Sequence, residues 1–202
     1  MNAIVSMIMN TGKSSFPADE FSVMKKEADR RYHDLCNENK EAPAALKKHT
    51  SMIIFPSIAA YEVFVHHGME EEKAVDLISG FFYGFSKNGF KLVSLRLSLF
   101  GGYHRYPANF VKNSMRDFSK ESGFEYRLPE IQKEGIARFD IVRCPYHDMC
   151  VKYDCLKLNR AFCDSDDAKY SHLHKNLKWE RKGTIGKGAE CCDFMIADIT
   201  KK

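Results

Sequence analysis

The sequence predicts an α+β fold in which N-terminal helices pack on a C-terminal antiparallel β-sheet that carries a helical insertion. Apolar residues recur at helical spacing up to about residue 122, and from Phe124 onward they alternate with polar residues as in half-buried strands. Two further runs of strand-like residues surround Gly186 and Gly188 near the end of the chain, which indicates a closing hairpin. Helices followed by paired strands are typical of the α+β class.

Four helical regions are predicted before the sheet. Residues 21–36 form an amphipathic helix for which Asp19 or Ser15 is the predicted cap. Residues 44–67 form a more apolar helix, and Pro56 must kink it or begin a new first turn. A third helix follows the acidic residues 70–72 and continues through 91–100, and a fourth covers 108–122.

Four strands are predicted after the helices. Residues 124–128 and 136–142 form the first pair, and residues 177–199 form the closing hairpin. Helical stretches at 147–154 and 156–174 make up the insertion between the pairs. In the last arm the period of two places Cys192, Phe194 and Ile196 on one face. We therefore expect one cysteine of the Cys191–Cys192 pair to point into the core or a pocket.

Composition and charge narrow the functional classes. The chain has 202 residues, 44% of them hydrophobic, and we predict an N-terminal segment at 1–20 followed by a single domain at 21–202. The net charge of +4 comes from 31 basic and 27 acidic residues that are scattered together, so we expect no nucleic-acid partner. The lack of a signal-peptide pattern or a membrane-spanning apolar run predicts a cytoplasmic protein without a membrane partner.

Six of the seven cysteines lie in the last third of the chain, in the pattern C-x5-C-x4-C-x7-C-x27-C-C. An odd number of cysteines is ordinary in a reducing compartment. The pattern contains no C-x2-C pair, which argues against a structural zinc ribbon. A mixed metal site of Cys, His and Asp stays open as an alternative, because polar candidates lie in the same region: His147, Asp166, His172 and His174.

One face of the helix predicted at 156–174 gathers reactive side chains. Cys163, Asp166 or Asp167, Tyr170 and His174 recur at helical spacing. A thiol beside a base on one face is typical of a nucleophile and its activator. The alternative is that the acidic residues at 164–167 form a solvated helix cap and that the histidines are surface residues.

The closing sequence resembles the L-2-amino-thiazoline-4-carboxylic acid hydrolase-like family. The resemblance rests on W-E-R-K-G-T-I at 179–185, followed by Gly188 and by C-D-F at 192–194. Further matches are R-C-P at 143–145, F-C at 162–163 with Asp166 three residues later, and G-M-E-E-E-K-A at 68–74. Lys182 stands where the family usually has Thr.

The resemblance implies a hydrolase that opens the ring of a cyclic amidine-like thiazoline carboxylate by adding water to the carbon between nitrogen and sulfur. Such a reaction needs a nucleophile, a proton donor for the leaving atom and a cation for the carboxylate. The implied catalytic residues are Cys163, Asp166, Cys192 and Cys144, and the implied substrate-binding residues are Arg181, Arg143, Thr184 and Asp193. In this interpretation the nucleophile is Cys163 or a metal-held water, and the base is Asp166 or a histidine. The resemblance also implies that Cys144, Cys163 and Cys192 converge on one pocket.

Two other classes compete with a hydrolase. One is a non-catalytic small-molecule-binding or sensor domain with a cysteine-lined pocket. The other is a thiol-based metal carrier or redox protein. All three take a small-molecule or ion partner, and the sequence leaves the cofactor and the oligomeric state open.

Overall fold

The helix-to-strand change near residue 124 is present in the computed structural model, which describes residues 1–129 and 133–201. The α-helices are α1 Ala3–Asn10, α2 Ala18–Glu38, α3 Ala44–His49, α4 Phe55–His66, α5 Glu71–Phe100, α6 Tyr106–Asp117, α7 Pro145–Lys152 and α8 Asn159–Tyr170. The strands are β1 Glu125–Arg127, β2 Ile136–Arg143, β3 Leu177–Glu180 and β4 Cys192–Asp198. All strand pairs are antiparallel, in the order β1-β2-β4-β3. The predicted α+β class, with α7 and α8 inserted between the strand pairs, is confirmed.

The chain forms two packing units, and the first comprises Met1–Phe82 and Tyr146–Phe162. Its core is helical and centres on α4, which buries residues on most of its faces. α1 and α2 pack against α4 through fully buried side chains such as Val5, Met24 and Ile58. α1 lies within the segment 1–20, and the predicted domain boundary at residue 21 stays a prediction.

Of the two alternatives for Pro56 in the helix predicted at 44–67, the new first turn is confirmed. The chain passes from α3 into a π-helical turn, Thr50–Ile54, before α4 begins, and Pro56 lies in the first turn of α4. Proline has no N–H to donate, so a first turn accepts it at no loss of a helical hydrogen bond. The predicted cap of α2 is wrong, because Pro17 holds the N-cap position and makes no side-chain hydrogen bond.

The second unit comprises Tyr83–Pro145 and Cys163–Lys202 and contains the sheet. α6 packs on β2 and β4. Four aromatic rings pack between helix and sheet with centroids 5.2 to 6.3 Å apart, namely Phe110, Phe139, Trp179 and Phe194. β4 buries every second residue, so the predicted inward face of Cys192, Phe194 and Ile196 is confirmed. Within the described residues, none of the helices combines the length and hydrophobicity needed to cross a membrane.

The closing hairpin is confirmed in its pairing, but its turn is longer than predicted. Trp179 pairs with Ile196, yet β3 ends at Glu180 and β4 begins only at Cys192. The residues between them form a loop with a 3-10 turn, Ile185–Lys187, which ends at Gly188 with a φ of +87°. The loop departs from strand geometry because the Asp193 side chain draws the main chain after β3 toward itself.

α8 is shorter than the predicted helix at 156–174. A 3-10 turn, Leu156–Leu158, precedes it, and the helix ends at Tyr170. His172 and His174 therefore lie beyond α8, and the placement of His174 on the face of Cys163 is wrong. The His174 ring instead stacks on Tyr103 at 4.4 Å, and its Nδ1 accepts a hydrogen bond from the Asn176 N–H.

Candidate active site

α8 presents a thiol, two carboxylates and a phenol along its length. Cys163, Asp166, Asp167 and Tyr170 all lie within the helix. Their spacings of three, four and seven residues bring the side chains onto one side. The predicted helical face is therefore present without its histidine.

Arg181, the first residue after β3, connects the sheet to α8. Its Nη2 donates to the carbonyl oxygen of Cys163 at 2.8 Å and to Oδ2 of Asp167 at 2.7 Å, and its Nη1 lies 3.4 Å from Oδ2 of Asp166. Only 3% of the Arg181 side chain is exposed. Because protein oxygens already engage both terminal nitrogens, Arg181 holds the helix in place, and its role in substrate binding stays a prediction.

Asp167 and Trp179 belong to the site, although the sequence argument gave Asp167 only as an alternative to Asp166 and Trp179 only as part of a motif. The indole Nε1 of Trp179 donates to Oδ1 of Asp167 at 2.8 Å, while the other oxygen of Asp167 binds Arg181. The guanidinium carbon of Arg181 also lies 5.6 Å from the Phe194 ring centroid. Two signals in the sequence point to this pair. Asp167 lies four residues after Cys163 on the same helix, and a buried tryptophan needs an acceptor for its indole N–H.

Cys192 opens β4 as a buried thiol near Cys163. Its Sγ accepts a hydrogen bond from the Ile185 N–H at 3.3 Å. Burial raises the pKa of Cys192 to about 11, and the proximity of Cys163 contributes to the rise. The structure thus brings together two of the three predicted cysteines.

Cys163 is partly exposed. Burial raises its pKa, while the neighbouring Thr184 hydroxyl and the Arg181 guanidinium act in the opposite direction. Thr184 is 2% exposed, and its Oγ1 has no hydrogen-bond partner of good geometry among the described groups. A buried hydroxyl with spare hydrogen-bonding capacity beside a thiol is a group that a bound ligand could satisfy.

Asp193 shapes the loop near the thiols through one of its carboxylate oxygens, and its role in substrate binding stays a prediction. Its Oδ1 accepts from the main-chain N–H groups of Lys182 at 2.9 Å and Gly183 at 2.8 Å. Gly183 has no room for a side chain, because an added Cβ would lie 2.8 Å from the Cβ of Ala189. These contacts fold the loop so that the Ile185 N–H reaches Cys192.

The R-C-P sequence lies at the carboxyl end of β2. Arg143 is 58% exposed, and its Nη1 lies 3.7 Å from Oε1 of Glu125 on β1. Cys144 is partly exposed and follows the last residue of the strand. Convergence of Cys144 with Cys163 and Cys192 stays a prediction.

Asp166 is an unusual carboxylate for its position. Its side chain is 30% exposed, yet its carboxyl is surrounded closely enough by protein that burial raises its pKa, against the effects of Lys169 and Arg181. A carboxyl with a raised pKa can take up a proton nearer to neutral pH than an ordinary aspartate. Such a group beside a thiol is suited to proton transfer.

Residues 47–196, about three quarters of the chain, match the L-2-amino-thiazoline-4-carboxylic acid hydrolase family. The chain belongs to this family. No curated protein and no solved structure shows significant similarity to it. The family match covers α8, β1 to β3 and β4 as far as Ile196, and so contains every residue of the site described above.

In this member of the hydrolase family, the described residues include no group of three or more His, Cys, Asp or Glu side chains arranged to hold a metal ion. Of the predicted metal ligands, His147 contacts Asn159 through its Nδ1 at 3.2 Å, and His174 stacks on Tyr103. The donor set thus gives no support to the predicted mixed metal site.

An open cleft of about 530 Å³ borders the site. Its lining consists of Asp167, Trp179, Glu180, Arg181 and Lys182. The two thiols are not part of this lining, although Arg181 lines the cleft and binds the carbonyl oxygen of Cys163. Lys182 adds an exposed cation to the cleft, whereas the charge of Arg181 is already balanced by carboxylates.

Proposed function

We propose that this protein hydrolyses a cyclic amidine of the thiazoline carboxylate type, and that Cys163 acts with Asp166 at the reacting carbon. Family membership supports the reaction class. The observation that carries the site is the cluster of Cys163, Cys192 and Asp166 around the buried Arg181, beside a Thr184 hydroxyl that has no hydrogen-bond partner of good geometry. A small molecule is therefore the proposed partner.

The proposed reaction begins at the ring carbon that lies between nitrogen and sulfur. The Cys163 Sγ forms a bond to this carbon as its proton passes to Asp166. The ring C–N bond then breaks, and the nitrogen leaves as an amine with the proton returned by Asp166. A water molecule next adds to the same carbon and displaces Sγ, which regains a proton, so the net change is the addition of one water.

The raised thiol pKa values call for activation by the ligand itself. An amidine is cationic at neutral pH, and a cation beside a thiol and a carboxyl favours the ionised form of both. Cys163 is the better nucleophile of the two thiols, since it is partly exposed and since Thr184 and Arg181 partly offset the rise in its pKa that burial causes. Cys192 is more deeply buried, and we assign it to the wall of the site.

The substrate carboxylate needs a cation that the protein has not already neutralised. Arg181 is bound by two aspartates, so we propose it as a positioning residue. Lys182 lines the adjacent cleft and is the proposed contact for the carboxylate. A cytoplasmic location fits the same proposal, because all seven cysteines are free thiols and the mechanism needs a reduced Cys163.

The deciding experiment measures ring opening of L-2-amino-thiazoline-4-carboxylic acid by mass spectrometry, with the hydrated product as readout. Cys163→Ser should lower turnover by about a hundredfold or more, because a serine hydroxyl is a far weaker nucleophile without a strong base. Cys36→Ser is the matched control and should keep full activity. Normal turnover by Cys163→Ser would show that the nucleophile is a water activated by Asp166. In that case the Asp166→Asn variant should be inactive, although the Cys163→Ser variant is active.

A non-catalytic binding domain is the second candidate, and the raised pKa values of both thiols favour it. Calorimetry distinguishes the two functions. Saturable binding of the thiazoline carboxylate with no hydrated product, across a range of pH and added divalent metals, would establish the binding domain. Turnover under any of these conditions would establish the hydrolase.

A further inference from the structure

The second half of α5 exposes a row of large apolar side chains on one side. Phe85 is 66% exposed, Leu92 63%, Leu95 52% and Leu99 67%. The first half of the same helix buries its apolar residues, among them Ala74, Val75 and Ile78. We call the exposed row, Phe85, Leu92, Leu95 and Leu99, the α5 stripe.

The spacing of the α5 stripe is that of a coiled-coil seam. Phe85, Leu92 and Leu99 follow one another at intervals of seven residues and hold position a of a heptad, while position d is held by the polar Asn88 and then by Leu95. An a/d stripe is narrower than the apolar face by which a helix packs on a globular core. The seam therefore fits a single partner helix.

We propose that the α5 stripe is the interface between two copies of this chain, with the two α5 helices antiparallel. The charges beside the seam indicate the orientation. Lys91 occupies position g and Arg96 position e, five residues apart. In a parallel pair these positions face each other, so Lys91 would meet Arg96 of the second copy twice.

The antiparallel arrangement removes both like-charge contacts. There, g positions face g positions and e positions face e positions, which sets Lys91 opposite Ser98 and Arg96 opposite Gly89. The centre of the pair is Leu92 of one copy against Leu95 of the other, repeated by the two-fold axis. The same surface thus serves both copies, as an isologous dimer requires.

The apolar area is sufficient for a weak dimer. Phe100, 79% exposed, extends the stripe at its end. Since covering an aromatic side chain buries about 150–250 Å², these five partly exposed residues offer roughly 500 Å² per copy. With the polar residues at its margins, the interface between two copies would bury about 1,200 Å² in total, which is at the lower end of the range for specific interfaces.

Sedimentation equilibrium of the full chain tests the interface. We expect a reversible dimer at protein concentrations of about 100 μM, and Leu92→Asp should raise its dissociation constant about a hundredfold, because the carboxylate would be buried at the seam. Leu156→Asp is the matched control, since Leu156 is also an exposed leucine, at 51%, but lies outside the stripe. The control should dimerise like the native protein.

The orientation has its own test in Lys91→Glu. An antiparallel dimer should keep its dissociation constant within about threefold, whereas a parallel dimer would tighten through a new ion pair with Arg96. Tightening overturns the antiparallel arrangement. A monomer at all concentrations and salt levels, an unchanged dimer in Leu92→Asp, or a monomer that co-sediments with phosphatidylserine vesicles would each overturn the dimer.

Discussion

Arg181 is the residue on which the candidate site most depends. A lysine at this position offers one charged nitrogen where the guanidinium now binds Asp166, Asp167 and the Cys163 carbonyl. We expect Arg181→Lys to lower the free energy of unfolding by about 2–3 kcal/mol, because buried charged partners lose hydrogen bonds. Urea unfolding measures the loss. Arg143→Lys, at an exposed position, should change it by less than about 0.5 kcal/mol, and equal effects of the two changes would contradict a central role for Arg181.

Asp166 should make stability depend on pH in a direction opposite to most aspartates. Burial raises its pKa in the folded protein, so its contribution to stability is fully present below the unfolded pKa of about 3.9 and is lost as the pH rises through the folded value. Asp166→Asn cannot ionise and avoids this loss. The melting temperature of the variant relative to the native protein should therefore increase between pH 4 and pH 7. A difference that stays constant over this range would show that the carboxyl titrates normally.

At the scale of the element, the loop between β3 and β4 depends on the fit between Gly183 and Ala189. Gly183→Ala adds a Cβ that would lie 2.8 Å from the Ala189 Cβ, and we expect a loss of about 1–3 kcal/mol in unfolding free energy. Ala189→Gly in the same chain removes the clash. The double variant should thus unfold at higher urea concentration than Gly183→Ala alone, and no such recovery would mean that the loop adapts elsewhere.

Periodicity predicted the elements well wherever burial follows the local pattern. β4 buries alternate residues, and β1 and β2 lie where alternation begins. The loop after β3 could not be predicted in the same way, because Thr184 and Ile185 have strand-like side chains and it is the distant Asp193 that removes Lys182 and Gly183 from strand pairing. The end of α8 at Tyr170 is likewise set by packing, since 171–174 carry no helix-breaking residue.

The whole molecule should lose stability in alkaline solution. Burial raises the pKa of Cys192 to about 11 and the pKa values of Tyr32 and Tyr61 to about 12, and it raises that of Tyr170 well above its ordinary value. Acids with raised pKa values contribute stability that is fully present below their unfolded pKa and is lost as pH rises through the folded one. We expect a level melting temperature from pH 7 to about 8.5 and a steady fall toward pH 11. Thermal melts under reducing conditions measure it, and a flat profile to pH 11 would contradict the burial of these groups.

Over the whole molecule, the sequence predicted the fold better than it predicted the chemistry of the site. Sequence spacing identified Cys163 and Asp166 on one helix, and the family resemblance added Cys192 and Arg181. The roles of these residues depend on contacts between elements far apart in the chain, such as the Arg181 bond to the Cys163 carbonyl. Only the fold shows that Arg181 is occupied and that Arg143 is largely exposed.

The alternation along β4 also bears on how accurately the strand must find its partners during folding. A slip of one residue would still turn a thiol inward, because Cys191 would replace Cys192. The same slip would exchange Phe194 for Asp193 and break the stack of Phe194 on Phe139. The two cysteines therefore do not distinguish the native alignment of β4 from the shifted one. Phe194, two residues after Cys192, does distinguish them, because only the native alignment buries its ring.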